Sequence, residues 1–266
     1  MSTSQNDKRR GELRDLVQSL FLAVRPAFAP IAPQDWLDNA EVTLKSHDLR
    51  GECDGVIRFR NGRFYIFWDP STGIRARFSL AHEVAHYLIP EHRHLIMMGK
   101  MDHWSKSDFR SDAQLEREAD YVAAQLLMPG SLFGEVKPEF AHILRKAREF
   151  DVSNTACSLR TVEESRMAVS LIKTFDNKLQ WAWSSEEMLQ MGYHAGSLRK
   201  AASPPSKSLT ARLQSELARA ASSPQRPKDV TSSKGWFDAV RTTDLWEEVL
   251  PIPSYNATLT LLIHES

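Results

Sequence analysis

The chain has 266 residues, with 34 Lys+Arg against 34 Asp+Glu, so its formal charge is zero; 42% of residues are hydrophobic and 26% are charged. That balance belongs to a globular protein with a core of ordinary size and argues against a dedicated nucleic-acid coat. Two cysteines, Cys53 and Cys157, exclude a disulfide framework and suit a reducing cytoplasmic setting. No apolar run reaches the ~18 residues a membrane-spanning helix needs, and the short run Leu20–Val24 after Lys8-Arg9-Arg10 reads as part of an amphipathic helix rather than a signal peptide.

In chain order, residues 8–25 predict a helix with Leu13, Leu16, Val17, Leu20 and Val24 on one face, ended by Pro26, Pro30 and Pro33. A second helix is expected over Gln34–Ser46. Val56–Arg60 and Arg63–Trp68 flank Asn61-Gly62, the strongest short-range signal for a hairpin. Arg75–Ile89 then repeats as a helix, with Phe78, Ala81, Ala85 and Leu88 on one face and Pro90 as its stop; residues 91–110 lack a clear period and read as a loop with partial structure. Ser111-Asp112-Ala113-Gln114 has the form of a capping box and opens a helix running to Leu127. Helices are expected over 138–150 and 153–165, a hairpin over 167–184, and a strand over Ala257–Ile263. Between about 196 and 235 the composition turns to Ser, Pro, Ala and basic residues, which reads as a mobile linker with a short helix at Leu209–Ala221.

The chemistry lies in His82-Glu83-Val84-Ala85-His86, an H-E-x-x-H sequence on the helix before Pro90. At 100° per residue, positions i and i+4 lie about 40° apart and one turn up, so both imidazoles address one point. Neutral imidazoles are good Zn²⁺ ligands, and a carboxylate beside them can take a proton from a water that the metal has acidified. A catalytic zinc keeps three protein ligands. His92 has the spacing of a metzincin third ligand, but Ile89, followed by Pro90, stands where that pattern needs glycine. Glu116 is the better candidate: with Asp120 it forms an i, i+4 acidic pair on the next helix, so that one can bind metal while the other orients a ligand histidine. Glu118 is its nearest competitor and points away from that face. A donor to the oxyanion of the attacked amide is also required, with Tyr87, His92, His94, His103 and Tyr121 as candidates. Phe64–Trp68 is a candidate edge strand for binding extended substrate by strand addition.

Arg75-x-Arg77-Phe78-Ser79-Leu80-Ala81-His82-Glu83-x-x-His86, followed by Glu116-x-Glu118-Ala119-Asp120-x-x-Ala123-Ala124-x-Leu126-Leu127-Met128-Pro129, resembles the ImmA/IrrE family of metallo-endopeptidases. The likeness extends over roughly residues 40–185 and departs from the family in Val84-Ala85, where Leu-Gly is usual, and in the 29 residues between His86 and Glu116. It implies an α+β fold with a zincin-like core of helices packed on a small sheet. It implies one Zn²⁺ on His82, His86 and Glu116, with Glu83 as general base and Asp120 behind the ligands. It also implies a protein substrate, a DNA-binding repressor of helix-turn-helix type. The expected organisation is an N-terminal helical segment (1–39), the zincin-like domain (40–195), the linker (196–235) and a C-terminal segment ending in a strand (236–266). The rival reading is a non-cleaving, zinc-stabilised regulator that binds a repressor or DNA. Direct DNA binding is disfavoured, because the helix-turn-helix-like stretch Leu144–Arg160 carries Asp151 at its turn and few bases in its second helix.

Overall fold

The computed structural model describes residues 3–24, 26, 29–37, 41–49, 53–99, 114–194, 202–214, 227–237 and 242–264. The chain divides into two compact units, Met1–Gly134 with Arg148–Ser153, and Glu135–Ala147 with Asn154–Ser266.

The first unit begins with α1 (Thr3–Val24), whose Leu13 and Val17 are buried as the helical period requires. The expected helix over Gln34–Ser46 does not form. A 3-10 turn at Pro33–Trp36 is followed by strand β1 (Val42–Ser46). Val42 and Thr43 are β-branched, and β1 lies parallel to β3, from Val42 opposite Phe64 to Ser46 opposite Trp68, so long-range pairing overrides a weak helical pattern. The predicted hairpin is present as β2 (Gly55–Arg60) and β3 (Arg63–Trp68). Asn61 (φ 49°) and Gly62 (φ 77°) take the left-handed conformations of a type I′ turn. The sheet order is β1-β3-β2. Phe64–Trp68 is therefore the central strand, and the expectation that it forms an edge is corrected: β1 and β2 are the outer strands among the described residues.

Asp69 closes β3 and caps the turn behind it, accepting hydrogen bonds from Ser71 N (2.8 Å) and Ser71 Oγ (2.6 Å). These bonds hold its carboxyl below the usual carboxylate range. Helix α2 (Ile74–Leu88) comes next and packs on β2 and β3. Pro90 stops it as expected, and the described start of the segment read as a partly structured loop forms a helix. Ile89 is extended (φ −76°, ψ 115°) and Pro90 is the first residue of α3 (Pro90–Met97). A proline at the first helical position loses no hydrogen bond and has its φ preset, so the residue that ends one helix begins the next. The expected capping box at Ser111 lies outside the described residues. Helix α4 (Gln114–Leu127) runs against α2, with Ala81 and Ala85 on one side and Ala119 and Ala123 on the other, all inaccessible to solvent. Small residues along that seam let the two helices approach closely. Arg77 donates to the Ile31 carbonyl (2.9 Å) and so ties α2 to the segment after α1.

A short helix, α5 (Gly130–Phe133), and α6 (Phe140–Phe150) lead to α7 (Asn154–Glu164). Strands β4 (Val169–Phe175) and β5 (Lys178–Ser184) form the second predicted hairpin, turning at Asp176 and Asn177, both at positive φ. After α8 (Glu186–Gln190) and α9 (Leu209–Gln214) come β6 (Lys228–Ser232), β7 (Asp244–Ile252) and β8 (Ala257–Ile263). They join one antiparallel sheet in the order β5-β4-β8-β7-β6. The terminal strand, buried along its whole length, pairs with β4 across seven positions, so β4 and β5 share a sheet with the C-terminal strands. The described part of 196–235 holds α9, within the stretch where a short helix is expected, and β6. Glu247 accepts from Leu209 N, Thr210 N and Thr210 Oγ1 (2.9, 2.7 and 2.6 Å), which anchors α9 to β7. Among the described residues no helix is long and apolar enough to cross a membrane.

Candidate metal centre

The first unit brings His82, His86 and Glu116 together, each with one ligating atom within 4.8 Å of the others. His82 and His86 lie one turn apart on α2 and meet through their Nε2 atoms at 3.0 Å. Glu116, in the first turn of α4, lies 3.3 Å from His82 Nε2 and 3.7 Å from His86 Nε2. Ligands about 2.0–2.1 Å from a tetrahedral ion stand roughly 3.3 Å apart. The three groups therefore have the spacing and the donor types that a small dication requires, and they could hold a metal ion. Asp120, one turn along α4 from Glu116, reaches the other face of His82, with Oδ1 2.8 Å from Nδ1. Burial by itself would lower the His82 pKa, but the hydrogen bonds to Asp120 and Glu116 outweigh it and carry it up to about 10. An environment that favours a proton at this imidazole also favours a cation in its place.

The side chains of His82 and His86 are 6% and 0% exposed, whereas Glu116 keeps 18% and Asp120 24%. Glu83, between the two histidines in sequence, is fully buried. Gly55 on β2 makes that burial possible, since a Cβ there would lie 2.9 Å from Glu83 Oε1.

Residues 60–161 match the family model described as Peptidase_M78, the IrrE N-terminal-like domain. That stretch is similar to an IrrE N-terminal-like domain. The chain's mixed helix-and-sheet architecture is the α+β, zincin-like fold expected of that domain. No curated protein matches the chain. Among solved structures it is similar to a Mycobacterium tuberculosis transcriptional regulator, at 14% identity and a TM-score of 0.56, over 95% of this chain and 76% of that one. At that identity the likeness concerns the fold.

The remaining candidates of the first unit separate clearly. His92 is not among the three converging groups. It lies behind His86, with Nδ1 3.1 Å from His86 Nδ1 and Nε2 3.3 Å from Glu118. Burial pushes its pKa down. Glu118 is buried as its helical angle suggested, and faces His92 and Arg9. The Tyr87 hydroxyl is spent on Glu41 (2.8 Å), and His94 is exposed on α3. The Tyr121 hydroxyl is buried with no hydrogen-bond partner among the described residues, and His103 lies outside them. Gly55 was missed from sequence, because nothing local says that a strand glycine faces a helix thirty residues on.

Gly55→Ala tests that close approach. Glu83 has no solvent to retreat into, so the added methyl displaces its carboxylate. If the site hydrolyses peptides with Glu83 as base, turnover is expected to fall by about 10²-fold, the scale of an ångström-sized misplacement, while metal content stays at the wild-type level. Unchanged turnover in a folded Gly55→Ala would remove that placement of Glu83.

Proposed function

We propose that the chain is a zinc-dependent endopeptidase with a narrow protein substrate, a DNA-binding repressor, whose cleavage regulates gene expression. The observation that carries this reading is the convergence of His82, His86 and Glu116 in the first unit, with Glu83 buried on the same helix as the two histidines. The match to a peptidase family model supports hydrolysis. The repressor substrate rests on the sequence resemblance, and a neighbour in fold that is titled a transcriptional regulator is in keeping with it.

His82, His86 and Glu116 would hold the ion. Zn²⁺ there supplies a Lewis acid that polarises the peptide carbonyl and acidifies a water. Glu83 accepts the proton of the attacking water and delivers it to the amide nitrogen of the departing strand, so that the carbonyl carbon gains OH and the amine gains H. Asp120 accepts the Nδ1–H of His82 and so keeps the Nε2 lone pair turned to the cluster. Extended substrate would add along β2, an outer strand of its sheet among the described residues, whose Gly55 lies against Glu83. Sequence-specific DNA recognition finds less support: Arg160, in the helix that would read the groove, is buried and paired with Glu164 (2.6 Å).

Asp120→Ala is expected to weaken metal binding by about 10–100-fold, as loss of a ligand's hydrogen-bond partner does, and turnover at limiting zinc should fall in parallel. Metal titration checks this, and wild-type affinity in the variant would remove the role assigned to Asp120. The function itself is tested by capture. Tagged Glu83→Gln, produced in the source organism, retains bound substrate, and the partner it holds is then given to metal-loaded wild type. Scission at one bond supports the peptidase reading. A partner captured repeatedly and never cut, by protein that holds zinc, would assign the chain instead to the zinc-stabilised regulators that bind without cleaving.

A further inference from the structure

We infer that His92 is a positioning residue for His86, held in place by Glu118 and coupled through Arg9 to the N-terminal helix. The inference rests on the metal-site reading above and adds to it a second ligand-orienting chain.

The two histidines of the motif are supported differently. His82 has a carboxylate behind it, Asp120. His86 has another imidazole, His92, with the two Nδ1 atoms 3.1 Å apart and both rings wholly buried. Two facing ring nitrogens make a hydrogen bond only when one carries a proton and the other does not. The Nε2 of His86 points into the cluster and must keep its lone pair there, so its proton sits on Nδ1 and His86 is the donor. His92 then accepts at Nδ1 and bears its own proton on Nε2, which points at Glu118 Oε2, 3.3 Å away. Glu118 is an acceptor only, as a carboxylate should be. Arg9 donates to it through Nη2 (2.8 Å) and Nε (3.0 Å), and Gln114 through Nε2 (2.7 Å). One proton arrangement satisfies every bond in this chain. Reversing the His86–His92 bond would leave the Nε2 lone pair of His92 facing the Glu118 carboxylate and turn an N–H of His86 into the cluster.

The backbone is built to deliver this contact. His92 is six positions on from His86, and one continuous helix would turn it about 120° away from that residue. The extended Ile89 and the helix-starting Pro90 turn the chain so that α3 folds His92 back onto α2. Ile89 is itself fully buried, which fixes the turn. His92 thus has the sequence spacing of a third ligand while occupying the place behind a ligand. Arg9 extends the chain to α1, where it also meets Glu12 (3.2 Å) and Glu91 (3.1 Å). One cation among three carboxylates keeps Glu118 ionised and anchors α1 to the wall of the site.

Cobalt binding to the full-length protein tests this without reference to hydrolysis. Co²⁺ affinity is measured by chelator competition and its coordination by the visible spectrum. His92→Leu is expected to bind Co²⁺ about 10–100-fold more weakly, with a changed spectrum as His86 rotates. His92→Asn, whose Oδ1 can accept where Nδ1 did, should recover most of the affinity and the wild-type spectrum. Adding Glu118→Gln to His92→Leu should cost little more, since the chain is already broken. A folded His92→Leu with wild-type affinity and spectrum overturns the positioning role and leaves the metal site standing. A wild type that binds neither Co²⁺ nor Zn²⁺ overturns the metal reading first. Should His92→Leu fail to fold, His92→Asn is compared with His92→Gln, whose polar atoms sit at the Nε2 position; equal Co²⁺ affinity in the two overturns the inference.

Discussion

Glu83→Gln should hold zinc as the wild type does and lose hydrolysis by about 10²–10⁴-fold, the range that a positioned general acid–base contributes. The two side chains have nearly the same size and shape, so the pocket that Gly55 leaves for residue 83 is filled as before and α2 keeps its packing. What changes is the chemistry at one atom. A carboxylate can take the proton of an attacking water and return it to the leaving amine, and an amide can do neither at neutral pH. No other solvent-borne base can stand in easily, because residue 83 is fully buried. Metal stoichiometry and turnover of the captured substrate, measured on the same preparation, check the two halves of this expectation separately. Turnover within about tenfold of wild type would remove Glu83 as the base. Loss of zinc along with turnover would mean that Glu83 supports the ligands rather than the reaction.

The parts of this site legible in the sequence are those whose geometry is local. His82, Glu83 and His86 share one helix, so 3.6-residue periodicity alone puts both imidazoles on one point. The Asn61-Gly62 hairpin is equally local, since only left-handed conformations close a two-residue turn and these residues adopt them at small cost. Glu116 and Asp120 are readable as a face, but not their distance from α2, which depends on the alanine seam between α2 and α4. Other features are set by partners far along the chain. β1 is a strand because β3 lies beside it, although its own residues allow a helix. The place of β3 at the centre of its sheet results from that same pairing. The terminal strand belongs with β4, some ninety residues earlier, which no composition boundary could show. His92 is the instructive case. Its spacing suggests a ligand, but whether it stands beside the metal ligands or behind them is decided by the turn at Ile89-Pro90, which packing fixes.

Glu116→Ala should weaken zinc binding by more than 100-fold, beyond the ~10–100-fold range of outer hydrogen-bond partners such as Asp120. Glu116 is the one anionic member of the converging trio, and its removal leaves two neutral imidazoles, which make a poor site for a dication. The loss has a readout in stability as well as in affinity. A site filled at about 1,000 times its Kd stabilises the folded chain by about 4 kcal/mol, and a 100-fold weaker site at the same zinc concentration leaves about 1.4 kcal/mol. The rise in unfolding temperature on adding zinc should therefore shrink to a minor effect in Glu116→Ala while the metal-free proteins unfold alike. Normal zinc affinity in this variant would overturn Glu116 as the third ligand. The His92 variants then decide what replaces it. If His92→Leu and His92→Asn both abolish binding while Glu116→Ala does not, His92 itself ligates the ion. If His92→Asn binds well and Glu116→Ala does not, the carboxylate of α4 is the ligand and the imidazole of α3 stands behind it.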